Sequence, residues 1–235
     1  MSLPFFYEPE IPKTSSHFSL SEETSKHCIQ VLRMKLGEKL QLTNGKGNLY
    51  KASIISDDKK KTVVLIEEST TVPQPSQKIS IAISLLKNAS RFEWFLEKAT
   101  EIGVSEIEPL ICARTEHTRF RHDRMNGILI AAMLQSQQAW LPVLHEPVAF
   151  SDCVKPSTHL QKLIAYCEED QKQFIKNLPS STDTQILIGP EGDFNLEEIQ
   201  LALSNHYLPV TLGETRLRAE TAGMVAATLL MNRFR

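Results

Sequence analysis

The chain has 235 residues, 41% of them hydrophobic and 23% charged, with a formal net charge of −2. That is the composition of an ordinary globular protein, long enough for one α/β domain with a small companion. It excludes a chain basic throughout and leaves any nucleic-acid contact to a local patch. No apolar run approaches the roughly 18 residues needed to cross a bilayer. MSLPFFYEPEIP lacks the basic and apolar regions of a signal peptide, so a cytoplasmic protein without a membrane partner is expected. Cys28, Cys112, Cys153 and Cys167 form no C-x-x-C pair, so neither a zinc motif nor a redox motif is expected, and no metal.

The first third reads as β-rich. Ser21 to Leu32 has a helical pattern, with Ser21 as its cap. Leu40 to Leu42 and Leu49 to Ile55 are short strands joined by the turn Asn44-Gly45-Lys46-Gly47, and Thr62 to Ile66 is a further β-branched strand. Short strands around one helix suggest a small barrel. Val72-Pro73-Gln74-Pro75 then breaks the apolar pattern and suggests a boundary, giving domains over 1–72 and 73–235.

Beyond it, strands alternate with helices. Lys78 to Leu86, Ile107 to Ile111, Leu163 to Tyr166, Gln185 to Ile188 and Val210 to Leu212 read as strands. Arg91 to Ile102 is an amphipathic helix stopped by Gly103, and Asp123 to Ala139, Leu196 to Leu203 and Glu220 to Asn232 are further helices. Alternation of this kind predicts a mostly parallel sheet covered on both faces.

Ligands of such sheets bind in loops at the carboxyl ends of strands. Three loops in the last third qualify: Tyr166-Cys167-Glu168, Gly189-Pro190-Glu191-Gly192, and Gly213 to Arg218. The second follows an apolar strand and precedes a helix, as a phosphate cradle does. It carries Glu191 and Asp193 but no lysine, and both G-x-G-x-x-G and the P-loop are absent. Glycines that allow close backbone approach, combined with mixed charges, suit a ligand with adenine, a carboxylate and a sulfonium cation, such as S-adenosylmethionine. Tight strand-to-helix turns are the alternative reading. Thr221 as a helix cap, with Glu220 at the positive helix end, is likewise an alternative to a polar wall around Arg216 or Arg218. The segment RTEHTRFRHDR, with Arg114, Arg119, Arg121 and Arg124, is either a solvated loop or an anion contact.

The pieces Ile188-Gly189-Pro190-Glu191-Gly192, Leu212-Gly213 and Leu217-Arg218-Ala219-Glu220-Thr221-Ala222 occur in order with Glu97 to Val104, Gln135-Ser136 and His27 to Arg33. Together they resemble the bacterial RsmE family of 16S ribosomal RNA uridine-N3 methyltransferases. The resemblance implies an α/β SPOUT methyltransferase domain with a deep trefoil knot, an exception to the rule that chains are unknotted, behind a PUA-like N-terminal β-barrel that holds RNA. It implies S-adenosylmethionine as donor, a homodimer, and 16S ribosomal RNA in the 30S subunit as substrate. The cofactor would lie against Tyr166, Cys167, Ile188, Gly189, Pro190, Glu191 and Gly192. Leu212, Gly213, Arg216, Leu217, Arg218, Thr221 and Ala222 would complete the pocket. Arg218 would stabilise charge on the uracil, and Glu220 would act as base or positioning group. Arg33, Arg114, Arg119, Arg121 and Arg124 are the available RNA contacts. The chain departs from the family pattern at Asp193, where many members have glycine, and at Gln138, where an arginine is common. A related enzyme acting at another RNA position, and a non-catalytic RNA-binding or ribosome-assembly factor on the same fold, are the alternatives.

Overall fold

The computed structural model describes residues 3–12, 16–167 and 172–234. Its contacts group into two units, Met1–Gln74 with Met133–Leu141, and Pro75–Ala132 with Pro142–Arg235.

The first unit is built on β1 (Phe5–Tyr7), β2 (His17–Ser19), the helix α1 (Glu22–Lys26), β3 (Lys39–Thr43), β4 (Asn48–Ser56) and β5 (Val63–Thr71). The sheet order is β1-β3-β4-β5-β2. β1 runs parallel to β3 and the other pairs are antiparallel. Alternation sets the core: Leu40, Leu42, Tyr50, Ala52 and Ile54 turn inward onto Phe6, Leu20 and Cys28. Ser21 caps α1 by accepting from the Thr24 amide at 3.3 Å. Past Lys26 the winding loosens into a π-turn over His27–Val31, and Arg33 follows with φ +56°. This leaves Val31 and Leu32 exposed.

Residues 139–141 pack on the turn between β3 and β4. The Gly47 amide donates to Ala139 O at 2.9 Å, and the Leu141 amide donates to Gly45 O at 2.9 Å. Trp140 Nε1 donates to Val72 O at 3.2 Å. Gly47 has φ +84°, and a Cβ there would meet the Trp140 ring at 2.4 Å, so the turn needs glycine for both conformation and space. The expected helix from Asp123 to Ala139 accordingly stops at Gln135, and Gln137 takes φ +58°.

In the second unit come β6 (Lys78–Ser84), α2 (Ala89–Ile102), β7 (Glu106–Ile111) and α3 (His122–Gln135), whose last residues group with the first unit. They are followed by β8 (Val143–Leu144), β9 (Val148–Ala149), α4 (Phe150–Val154), β10 (Gln161–Ala165) and β11 (Gln173–Phe174). The chain ends with β12 (Asp183–Ile188), α5 (Leu196–Ser204), β13 (Leu208–Thr211) and α6 (Ala219–Met231). The sheet order is β11-β13-β10-β12-β6-β7-β8, with β9 also pairing with β7, and the pairings among the described residues are parallel. The α/β class read from the alternation is therefore the observed one.

β12 lies inside this sheet between β10 and β6, and its Ile186, Leu187 and Ile188 are buried. Each such side chain contributes on the order of 1.5–3 kcal/mol by leaving water. α2 lays Phe92, Phe95 and Ala99 inward, and Gly103 ends it with φ +96°. α6 crosses close to α2 at Gly223, where a Cβ would come within 2.7 Å of Phe95 Cε2. The consequence for function is positional. β10, β12 and β13 are neighbours through β10, so the loops leaving their carboxyl ends share one rim.

Candidate active site

Those three loops enclose a cavity of about 630 Å³, within the range of small-molecule sites. Of the sequence-derived ligand residues, Tyr166, Cys167, Ile188, Gly189, Pro190 and Glu191 line it on one side. Leu212, Gly213, Arg216, Leu217, Arg218 and Ala222 line it on the other. Gly192, Thr221 and Glu220 do not line it. Glu168 lies outside the described residues.

The GPEG turn is held by its own side chains. The Asp193 amide donates to Pro190 O at 2.9 Å, and Asp193 takes φ +63°. This is the left-handed region that glycine enters freely and aspartate tolerates better than most residues. The aspartate adds what glycine lacks. Its Oδ2 accepts from the Cys167 amide at 2.7 Å, and its Oδ1 accepts from the Phe194 amide at 2.9 Å. One carboxylate therefore ties the loop after β12 to the loop after β10. Glu191 Oε1 accepts from the Lys87 amide at 3.1 Å, tying the same turn to the segment between β6 and α2. Both acidic side chains of the turn thus engage backbone amides. Cys167 sits beside this tether, and burial first, then the Asp193 carboxylate, push its thiol pKa up.

The turn is also braced from outside. Arg114 Nη1 donates to Gly192 O at 2.7 Å. Asn195 and Glu198 form a capping box at the start of α5, and Glu198 Oε1 accepts from the Ala113 amide at 2.7 Å. Arg114, read from the sequence as an RNA contact, therefore spends its guanidinium on the loop. Arg124 is paired with Glu93 through Nε at 2.6 Å and Nη2 at 2.9 Å. That hydrogen bond holds the Glu93 carboxyl below its usual range. Arg119 and Arg121 are exposed in the second unit, and Arg33 is exposed in the first.

The opposite wall ends at α6. Arg218 occupies its N-cap without a side-chain capping bond, and Thr221 lies within the first turn instead of capping it. Glu220 is buried, its Oε1 stands 3.7 Å from Arg91 Nε, and its Oε2 has no hydrogen-bond partner among the described residues. The helix end supplies partial positive charge to both Arg218's neighbourhood and the Glu220 carboxylate.

The cavity is mixed in sign. Lys172, Arg216 and Arg218 stand against Glu191, Asp193 and Glu214. Lys172 was missed by the sequence reading. Its Nζ donates to Tyr166 O at 2.6 Å and lies 4.1 Å from the centre of the Tyr166 ring. No motif flags it, because it stands just before β11 and outside the short stretches that carry the family pattern. Ala165, Val210 and Thr211 also line the cavity. They follow from the general rule that strand carboxyl ends form such sites.

Comparison with known proteins agrees with this geometry. The family model described as "RNA methyltransferase domain" matches residues 73–231, and that described as "RNA methyltransferase PUA domain" matches residues 20–67. A curated relative from Synechocystis, named ribosomal RNA small subunit methyltransferase E, is 30% identical over 211 residues, covering 85% of this chain and 68% of its own. A solved Legionella pneumophila structure with bound cofactor SAM is 31% identical, with a TM-score of 0.89, covering 99% of this chain and 98% of its own. The ribosomal RNA small subunit methyltransferase E from Neisseria gonorrhoeae, solved bound to S-adenosyl methionine, is 26% identical with a TM-score of 0.89, and 98% of each chain is covered. An α/β domain behind a PUA-type first unit, with its ligand-sized cavity at the strand ends, belongs to one family: the chain is a member of the RNA methyltransferases that include ribosomal RNA small subunit methyltransferase E.

Proposed function

We propose that this protein methylates N3 of a specific uridine in the decoding region of 16S ribosomal RNA in the 30S subunit, using S-adenosylmethionine. The mixed-charge cavity at the carboxyl ends of β10, β12 and β13 carries the reading. Relatives matched over 98% of their solved chains and bound to that donor support it. The donor set fits. Lys172 and Arg216 suit a carboxylate, Glu191 and Glu214 suit a cation, and Gly213, where a Cβ would meet nothing within 4 Å, leaves room for a flat base. When bound, S-adenosylmethionine supplies an electrophilic methyl group on a sulfonium.

The uridine N3 carries a proton and pairs with adenine in a helix, so the base must be unpaired or flipped to react. Reaction forms the N3–methyl bond, breaks the sulfur–methyl bond and releases the N3 proton to water or a carboxylate. Arg218, exposed on the cavity wall at the N-cap of α6, offers its guanidinium to the negative charge that spreads onto the uracil carbonyls. Glu220 is buried off the cavity beside Arg91. We assign it the positioning role, setting the first turn of α6 from which Arg218 projects. Holding the two reacting atoms in line accounts for much of the rate.

Residues 1–72 are proposed to hold RNA, with Arg33, and residues 73–235 to carry catalysis, with Arg119 and Arg121 the freest of the predicted contacts in their segment. A homodimer, a trefoil knot around the cofactor loops and a cytoplasmic location complete the proposal on the strength of the family membership.

The test uses 30S subunits from cells lacking this modification, incubated with the protein and labelled S-adenosylmethionine, followed by mass spectrometry of the digested RNA. Labelled 3-methyluridine from 16S RNA is the expected product. A different methylated nucleoside moves the target. Absence of label from folded protein favours the non-catalytic RNA-binding or assembly factor.

A further inference from the structure

At the opposite end of the sheet, the amino ends of β7, β10 and β12 bring together side chains that methyl transfer does not use. Glu106 and Glu108 sit on β7, His159 precedes β10, Asp183 begins β12, and His145 follows β8. One ligand atom from each of Glu106, Glu108 and His159 lies within 4.8 Å of the others. His145 Nε2 stands 3.7 Å from Glu106 Oε2, and His159 Nε2 stands 3.9 Å from Glu108 Oε1. A cavity of about 270 Å³ opens beside them, lined among others by Glu108, His145, Cys153 and His159.

The orientation of His159 is the informative feature. Its Nδ1 is 2.5 Å from Asp183 Oδ1. With the ring proton donated there, Nε2 presents a lone pair toward Glu108. A carboxylate that fixes a histidine tautomer in this way is the usual outer partner of a metal-binding imidazole. Glu108 is oriented as well. Its Oε1 accepts from Gln185 Nε2 at 2.7 Å and from the Ser80 hydroxyl, and its Oε2 faces Cys153 Sγ at 3.5 Å. Two electron-rich atoms facing each other at 3.9 Å are too far apart for a hydrogen bond and are bridged naturally by a cation.

We propose that Glu106, Glu108, His145 and His159 form a zinc site at this end of the sheet, separate from the methyl-transfer cavity. Two imidazole nitrogens and two carboxylate oxygens are a set that suits tetrahedral zinc. Bond lengths of about 2.0–2.1 Å place ligand atoms roughly 3.3 Å apart, so Glu106, Glu108 and His159 draw together from within 4.8 Å, and His145, outside that cluster, swings in to join them. His145 lies on a loop with a half-exposed side chain and has the freedom to do so. One group opposes the cation. Lys78 Nζ lies 3.1 Å from Glu106 Oε1 and competes for that carboxylate. The cysteine spacing gave no hint of such a site, because these ligands are scattered between positions 106 and 159 and include no thiolate.

The full-length protein, stripped with a chelator and dialysed, is titrated with zinc chloride by calorimetry. The expected result is one zinc per chain. His159→Ala weakens binding at least tenfold, and Asp183→Asn weakens it by roughly ten- to a hundredfold through loss of the orienting carboxylate. Lys78→Met tightens binding, an outcome that damage to the fold does not produce. Cys167→Ser leaves it unchanged. Should His159→Ala fail to fold, Asp183→Asn and Lys78→Met decide the matter. No stoichiometric zinc, an affinity unchanged from the parent in the His159 and Asp183 variants, or weaker binding in Lys78→Met overturns the proposal. None of these readings depends on methyltransferase activity.

Discussion

Replacing Asp193 tests whether the cavity is pre-formed by its loop-to-loop tether. In Asp193→Ala the local bond from the Phe194 amide at 2.9 Å is lost. So is the bond from the Cys167 amide at 2.7 Å, the one that joins the two loops, and a residue less tolerant of φ +63° occupies the turn. A hydrogen bond to a charged group is worth about 1.5–3 kcal/mol, which solvent at this exposed rim reduces to about 1 kcal/mol. The left-handed conformation costs alanine about 1 kcal/mol. The sum, about 2 kcal/mol, corresponds to roughly a 30-fold rise in Kd if all of it must be recovered on binding. Asp193→Gly removes the tether but not the conformational fit, so a rise of about fivefold is expected. Asp193→Asn keeps an acceptor and a tolerant backbone, and stays within about threefold of the parent. Calorimetric titration with S-adenosylmethionine reads all three. Alanine and glycine variants that bind like the parent would show that the tether does not organise the pocket. An asparagine variant as weak as alanine would show that charge, and not loop geometry, is what Asp193 supplies.

Arg218→Ala is expected to lower turnover on 30S subunits at least about a hundredfold while S-adenosylmethionine affinity, read by calorimetry, changes only a few fold. Equal loss of both assigns Arg218 to binding. Gly223→Ala brings a methyl group to 2.7 Å from Phe95 Cε2 and 3.0 Å from Ile83 Cδ1, and overpacking of this kind costs about 1–3 kcal/mol. Thermal unfolding should therefore fall by several degrees, whereas a rise, as helix propensity alone predicts, contradicts the close crossing of α2 and α6. The hydrogen bond from Arg124 depresses the Glu93 carboxyl, so its stabilising effect is present above the ordinary glutamate range of about 4.3 and is lost as pH falls through the depressed value. The melting difference between the parent protein and Glu93→Gln should be visible at neutral pH and vanish toward acid, and a difference independent of pH would refute the pairing.

Several features were legible because they are local. Period-two alternation places Leu40, Leu42, Tyr50 and Ile54 in a core, and glycine at 103 stops α2. The run from Gly189 to Gly192 marks a strand-to-helix turn. Other features were not legible. β1 and β2 are three residues each, too short for periodicity to register, and they exist because β3 and β5 offer them open edges. Strand β5 runs on to Thr71, five residues beyond the apolar run, because its polar half pairs with β4. The end of α3 at Gln135 follows from the packing of residues 139–141 on the turn at Gly47.

For the site, the sequence by itself determined which loops leave the strand ends and which charges they carry. Only the tertiary structure decided what those charges do. Arg114 lies 78 positions from Gly192 and Asp193 lies 26 from Cys167, so parallel strand order, not chain neighbourhood, brings each to its partner. Glu220 and Arg218 stand two residues apart, yet the helix start turns one into the interior beside Arg91 and leaves the other on the cavity wall. Composition and periodicity are sums over near neighbours. A side chain's partner is set by the sheet's register and crossovers, which exist only once the whole chain has closed its core.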